Sequence, residues 1–267
     1  MGTLLKSTEL GLIVTYALRD LGRNYKKISS IVITLFISLF VLSSILTIEQ
    51  SLKKELNDNS RALLGGDLEI DYNRIPGNLT LVNKVKEFAT ISQMVEFSTM
   101  ISTNYKDNNQ SLFTRIKTVD EHYPLYGEVV YEPPGALKRI HQEQNTILVN
   151  ENIYKTLQLQ VNDKIKVQDQ LFTVVGMIKS VPDVSGFVAF GDFALAGKQT
   201  LELLQLNNLG SFLNHEYKVR FPEGANIQEM RTRVQVLFKE DRKVILKYPE
   251  NSASGLKRVI NNFSKFL

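Results

Sequence analysis

Between Lys27 and Glu49 the chain runs without a single charge from Ile28 to Ile48, reading ISSIVITLFISLFVLSSILTI. As a helix, these roughly 21 residues rise ~32 Å, about the hydrocarbon thickness of a bilayer. No other window of the sequence approaches it. The simplest reading is one membrane span carrying a water-facing domain of about 200 residues, long enough to bury a core of its own.

Charge sets the expected direction of insertion. Arg19, Arg23, Lys26 and Lys27 cluster just ahead of the span. Positive residues are retained on the cytoplasmic side, which predicts the N-terminus inside and the domain after Glu49 outside. Lys53 and Lys54 follow the span, but Glu49, Glu55 and Asp58 accompany them. The net charge of +4 is mild and has no aromatic-basic patterning elsewhere, which argues against a nucleic-acid partner. A cleaved signal peptide competes for the same segment. Its apolar region would be too long and too deep in the chain, and SSILTIEQS offers no small-x-small cleavage site, so a retained signal anchor is favoured. The absence of cysteine rules out disulfides, thiol chemistry and cysteine metal sites.

Periodicity then divides the chain. Thr8 to Gly22 spaces Leu10, Ile13, Val14, Ala17, Leu18 and Leu21 as an amphipathic helix, suited to the inner leaflet surface or to another protein's helices. Residues 1–27 are therefore read as a cytoplasmic amphipathic helix and 28–48 as the transmembrane helix. Glu49 to Leu64 keeps helical character through Leu52, Leu56 and Leu63 until Gly65-Gly66 ends it, making 49–66 a stalk.

Residues 67–250 form the expected core domain, of α+β class. One pattern occurs in it twice. Strand Leu68–Tyr72, Pro76-Gly77, helix Leu79–Phe88 and strand Met94–Thr103 are matched by strand Glu216–Phe221, Pro222 and Gly224, helix Ile227–Phe238 and strand Lys243–Tyr248. Each is βαβ-like. Together, as 67–119 and 216–250, they are read as split halves of one α+β subdomain, with Leu112–Val119 as an added strand. Between them, 120–215 is read as a β-rich insert: the turn Pro133-Pro134-Gly135, strand Thr146–Val149, short helix Glu151–Leu157, and strands Lys164–Val167, Leu171–Ile178 and Phe187–Phe190. Residues 251–267 close the chain as a return stalk directed at a second span, with Leu256, Val259, Ile260, Phe263 and Phe266-Leu267 apolar.

The chemistry-bearing residues form no catalytic constellation. His122, His141 and His215 stand apart, without the i,i+4 spacing of metal ligands. There is no G-x-S-x-G elbow, and Gly65-Gly66-Asp67 lacks the lysine of a phosphate loop. Asn78-Leu79-Thr80 and Asn262-Phe263-Ser264 match the glycosylation triplet at chance frequency. Ser29, Ser30, Thr34, Ser38, Ser43, Ser44 and Thr47 give the span hydroxyls that either pack against other helices or bond back to their own backbone. No residue is assigned as catalytic, cofactor-binding or metal-ligating.

Four stretches carry a resemblance: Tyr16-Ala17-Leu18-Arg19-Asp20-Leu21, then Arg61-Ala62-Leu63-Leu64-Gly65-Gly66-Asp67-Leu68-Glu69-Ile70, then Tyr123-Pro124-Leu125-Tyr126-Gly127, and Val181-Pro182-Asp183-Val184. They resemble the permease subunits of FtsX-like/MacB-type ABC transporters. Ile147 to Val175 is similar to that family's periplasmic core, with its L-x-V-x-D turn at Leu159, Val161 and Asp163. The likeness is nearest to large permeases with two such cores, a branch linked to lysophospholipase or lipid export.

The resemblance implies an inner-membrane protein of a double-membraned bacterium. It would be single-pass over this sequence, with its N-terminus cytoplasmic and its core domain periplasmic. The core would comprise a split α+β porter part and a β-rich insert. The implied partners are an ABC ATP-binding subunit, further transmembrane segments or a second permease polypeptide, and the lipid bilayer. ATP-driven motion would pass along the stalks to export or extract a lipid, lipoprotein or other envelope substrate. Later membrane helices, the ATPase-contacting loop and a second core are not in this sequence, so an N-terminal fragment, a split-gene product or a decayed frame is expected. Two other readings are a single-span periplasmic scaffold or regulator binding an envelope protein, and an anchored enzyme, which lacks any nucleophile or acid-base set.

Overall fold

The computed structural model describes residues 15–16, 19–20, 22–73, 77–103, 110–183, 191–206 and 213–252. They fall into two compact units, divided between Lys54 and Glu55.

The first unit is dominated by helix α1 (Tyr25–Asp58), whose apolar stretch Tyr25–Ile48 is long enough to cross a membrane and has none of its apolar window buried. Neither proline nor glycine interrupts it. Its hydroxyls turn back on the helix: Thr34 donates to the Ser30 carbonyl, Ser38 to Thr34, Ser44 to Phe40 and Thr47 to Ser43, at 2.8–2.9 Å. Of the two roles open to these side chains, these four take backbone bonding. The amphipathic helix expected at Thr8–Gly22 lies mostly outside the described residues.

The stalk was expected as one helix to Leu64. Instead α1 stops at Asp58, and a short helix α2 (Ser60–Leu64) follows Asn59. Asn57, Asp58, Asn59 and Ser60 follow one another in the sequence, residue types with weak helix preference, and the helix breaks at Asn59. Gly65 ends α2 as its glycine predicts: at φ +78° it bonds back to the Arg61 and Ala62 carbonyls.

In the second unit the two βαβ-like units interlock. Strand β1 (Leu68–Tyr72), helix α3 (Leu79–Lys86) and strand β2 (Thr90–Thr103) form the first; β9 (Asn214–Arg220), α7 (Ile227–Leu237) and β10 (Ile245–Lys247) form the second. Neither unit pairs its own strands. β9 lies antiparallel between β1 and β2, and β1 lies antiparallel between β10 and β9. The order β10-β1-β9-β2 is a ferredoxin-like weave. Leu68, Ile70 and Tyr72 on one face of β1 pack with Val82 and Val85 of α3 and Val234 of α7. Asp67, Glu69 and Asp71 alternate onto the other face, as strand geometry requires.

The intervening chain extends the same sheet. Strand β3 (Gln110–Val119) pairs with β2 and runs parallel to β8 (Phe193–Gly197). β8 pairs β5 (Thr146–Asn150), and β5 runs parallel to β7 (Gln170–Ser180). β7 pairs β6 (Lys164–Val167), and β6 returns to the far end of β2 at Ile101 and Ser102. These strands therefore close a ring around Phe97, Ile101, Ile116, Ile165, Phe172 and their neighbours, all buried. Helix α5 (Glu151–Thr156), capped by Asn150, contributes Ile153 to that interior.

Strand β4 (Val130–Glu132), helix α4 (Ala136–Gln142), which begins directly after the Pro-Pro-Gly turn, and strand β8 escaped the sequence reading. Helix α6 (Thr200–Leu203) was also unread, and helix α8 (Pro249–Ser252) precedes the expected return stalk. That stalk lies outside the described residues beyond Ser252, as does the strand expected at Phe187–Phe190.

Candidate functional site

The polar face of the weave is not left to water. In one cross-strand row, Lys247 of β10, Glu69 of β1, Lys218 of β9 and Ser92 of β2 stand directly opposite one another. Lys247 Nζ lies 2.8 Å from Glu69 Oε1 and 2.6 Å from Asp71 Oδ2. Lys218 bonds the other Glu69 oxygen and lies 3.2 Å from Glu216. Asp71 and Glu216 face each other across β1 and β9, so the two lysines separate like charges. Glu69 is 2% exposed and Lys218 3%.

A second cluster joins this ladder from the inserted chain. Asp183 takes Lys117 Nζ on one oxygen at 2.7 Å and the Tyr123 hydroxyl on the other at 2.5 Å. Burial opposes ionisation of this carboxyl, but Lys117 and Lys218 outweigh it and hold its pKa at about 2. Burial would likewise favour the neutral form of Lys218. The carboxylates of Glu216, Glu69 and Asp183 reverse that and raise it above the usual lysine range. Burial and the adjoining Asp183 push the Tyr123 hydroxyl well up.

A third cluster ties in α2. Asp67 is 1% exposed; its Oδ2 accepts from the Tyr126 hydroxyl and the Phe221 backbone N–H, each at 2.9 Å. Its Oδ1 lies 3.3 Å from Arg61 Nε on α2, and its carbonyl accepts from Arg231 of α7 at 3.1 Å. Arg220 covers the Tyr126 ring at 5.2 Å. Gly127, at φ +73°, lets the loop close against Pro182, where an added Cβ would stand 2.5 Å from the proline Cβ.

The stretches 61–70, 123–127 and 181–183 thus meet in one ionic joint between α2 and the strands that follow it, within the second unit; Val184 lies outside the described residues. Its charges are engaged with one another, which suits it to holding elements in register and gives it no free nucleophile. Among the described residues no group of His, Asp or Glu is arranged to hold a metal ion.

The remaining singled-out residues serve locally. Gly65-Gly66 is a helix terminus, and Asn78 caps α3 by accepting from Leu81 N–H. Asp163 closes its turn by accepting from Gln160 N–H at 2.8 Å. Asn262 lies outside the described residues. His122 and His141, read as isolated, line one cleft of about 510 Å³ with Asp120, while His215 sits apart on β9. Asp120 is already engaged by Ser92, Gln93 and His122 backbone or hydroxyl donors.

Residues 30–237, from within the apolar helix to the end of α7, match the family described as MacB-like periplasmic core domain. The chain belongs to that family. The match takes in most of the apolar helix, the closed ring of strands and the weave as far as α7. Among curated proteins, the uncharacterized ABC transporter permease YbbP of Escherichia coli strain K12 is 26% identical over 191 residues. That is 71% of this chain but 22% of the relative, so the chain spans less than a quarter of that protein's length. Among solved structures, the periplasmic region of MacB from Actinobacillus actinomycetemcomitans has the same fold, with a TM-score of 0.50 at 11% identity over 78% of this chain and 98% of that one. The extracellular domain of the ABC-type transporter YknZ from Gram-positive bacteria gives a TM-score of 0.45 at 8% identity, over 68% of this chain and 98% of that one. The core family and the apolar helix together fit a membrane-anchored protein.

Proposed function

We propose that this chain is the N-terminal portion of an ABC transporter permease subunit in the inner membrane, with its N-terminus cytoplasmic and its core periplasmic. It is non-catalytic. ATP hydrolysis belongs to a separate ATP-binding subunit, and further transmembrane segments, in this or a second polypeptide, complete the membrane part. Motion generated at that subunit reaches the core through the stem, for export or extraction of a lipid, lipoprotein or other envelope substrate. Within the core, 67–119 with 216–250 act as the α+β porter part and 120–215 as the β-rich insert.

One observation carries this reading. The family match runs unbroken from inside the apolar helix into the core, and within the second unit α2 is tied to β1 and the 123–127 loop by a joint built from charges. An apolar contact would give adhesion without register, whereas buried pairs tolerate few alignments. Such a joint passes displacement of α2 to β1, β9 and the 123–127 loop together.

Pulsed electron resonance tests the coupling directly, because the chain has no cysteine of its own. Spin labels at Lys54→Cys and Lys155→Cys, in the assembly purified from native membranes, should change separation on adding ATP and vanadate. An unchanged distance distribution, with ATP hydrolysis confirmed in the same sample, would refute the coupling.

A further inference from the structure

The N-terminal end of the apolar span bears a concentrated positive charge. Arg19, Arg23, Lys26 and Lys27 are all exposed. Residues 19–20 and 22–23 are helical, and Asn24 N–H bonds the Asp20 carbonyl while Lys27 N–H bonds that of Asn24, both at 3.0 Å. The chain bends at Asn24, so Arg19 and Arg23 precede the bend and Lys26 and Lys27 stand in the first turn of α1. Asp20 is the one carboxylate between Arg19 and Lys27, and its Oδ1 accepts from the Asn24 side chain at 3.0 Å. Four cations less one carboxylate leave +3 over this short stretch.

A second feature lies in the same stretch of chain. Tyr16 and Tyr25 are 70% and 62% exposed. Amphipathic rings of this kind favour the headgroup layer, half in hydrocarbon and half in water. A guanidinium presents a planar fork matched to phosphate oxygens, and a lysine ammonium adds a point charge on a flexible stem. Cations held at headgroup depth beside a span meet lipid phosphates before any soluble anion.

We propose that this collar binds the headgroup phosphates of anionic phospholipids and retains them over zwitterionic lipids. The inference rests on the membrane-span part of the proposed function and goes beyond it in naming a lipid class. Each cation at the surface of an anionic leaflet strengthens attraction about fivefold. Removing four therefore abolishes selectivity.

The full chain is reconstituted into vesicles of equal parts phosphatidylcholine and phosphatidylglycerol, floated, then extracted in mild detergent, and its retained lipids are counted by mass spectrometry. Phosphatidylglycerol should be enriched severalfold over the bulk ratio. The variant Arg19→Gln/Arg23→Gln/Lys26→Gln/Lys27→Gln should retain both lipids at that ratio. The control Lys53→Gln/Lys54→Gln, neutralised past the other end of the span, should keep the enrichment. Equal enrichment in the fourfold variant overturns the proposal. Protein that fails to float overturns the span as well, whereas floated protein without enrichment overturns this inference alone.

Discussion

Replacing Asp183 by Asn removes the charge shared by Lys117, Lys218 and Tyr123 while leaving side-chain volume almost unchanged. The pKa of this carboxyl falls from an ordinary 3.8 to about 2 in the folded chain. At 1.36 kcal/mol per unit, that difference contributes about 2 kcal/mol of stability at neutral pH. Leaving Lys117 buried without its partner raises the expected loss towards about 3–4 kcal/mol. For a domain of this size, each kcal/mol moves Tm by about 2–4 °C, so Asp183→Asn should melt roughly 6–16 °C lower at pH 7. Far-UV circular dichroism on the full chain in detergent reads this without tryptophan, which the sequence lacks. The pH dependence is more diagnostic than the size. Because the folded value lies below the unfolded one, the stabilisation is complete above about pH 4 and fades as pH falls towards 2. The two melting curves should therefore converge across that window. A variant as stable as the parent at pH 7, or a gap that stays constant down to pH 2, would refute the ionic account of the joint.

Other perturbations separate the parts. Gly127→Ala places a Cβ against Pro182 at positive φ and should cost about 1–3 kcal/mol in urea unfolding; a loss under half that would mean the loop relaxes freely. Asp67→Ala strips acceptors from Tyr126 and the Phe221 N–H and should cost about 2–4 kcal/mol. Arg61→Ala, at a half-exposed partner of the same carboxylate, should cost about 0–1 kcal/mol. Burial lowers the pKa of His141 and His215. The unfolded chain takes up those protons first, so stability should decline as pH falls below about 6.5, and His141→Gln/His215→Gln should flatten that decline.

Local signals in the chain were strong wherever the physics was local. The uncharged run declared α1, the paired glycines ended α2, and strict alternation in LEIDY and in the residues around Tyr217 marked β1 and β9. β8 was hidden because FALAG combines small residues with weak strand preference and is held by its neighbours. α4 was hidden by its brevity behind Pro133-Pro134-Gly135. Closure of the ring depends on β6 meeting β2, a pairing no window of sequence contains.

The ionic joint was missed for a different reason. Alternation assigns Asp67, Glu69 and Asp71 to a polar face but does not say whether that face is covered. Glu216, Lys218 and Arg220 alternate on β9 with partly opposite sign, which was the available clue. It becomes informative once β1 and β9 are known to be neighbours.

Cysteine accessibility in intact cells tests the central claim most directly. In the cysteine-free chain, Lys239→Cys on the exposed end of the core should react with a membrane-impermeant maleimide added outside the inner membrane. Arg23→Cys, ahead of the span, should react only after the membrane is permeabilised. Equal labelling of both positions without permeabilisation, or the reverse order, would contradict a core carried across the bilayer by α1.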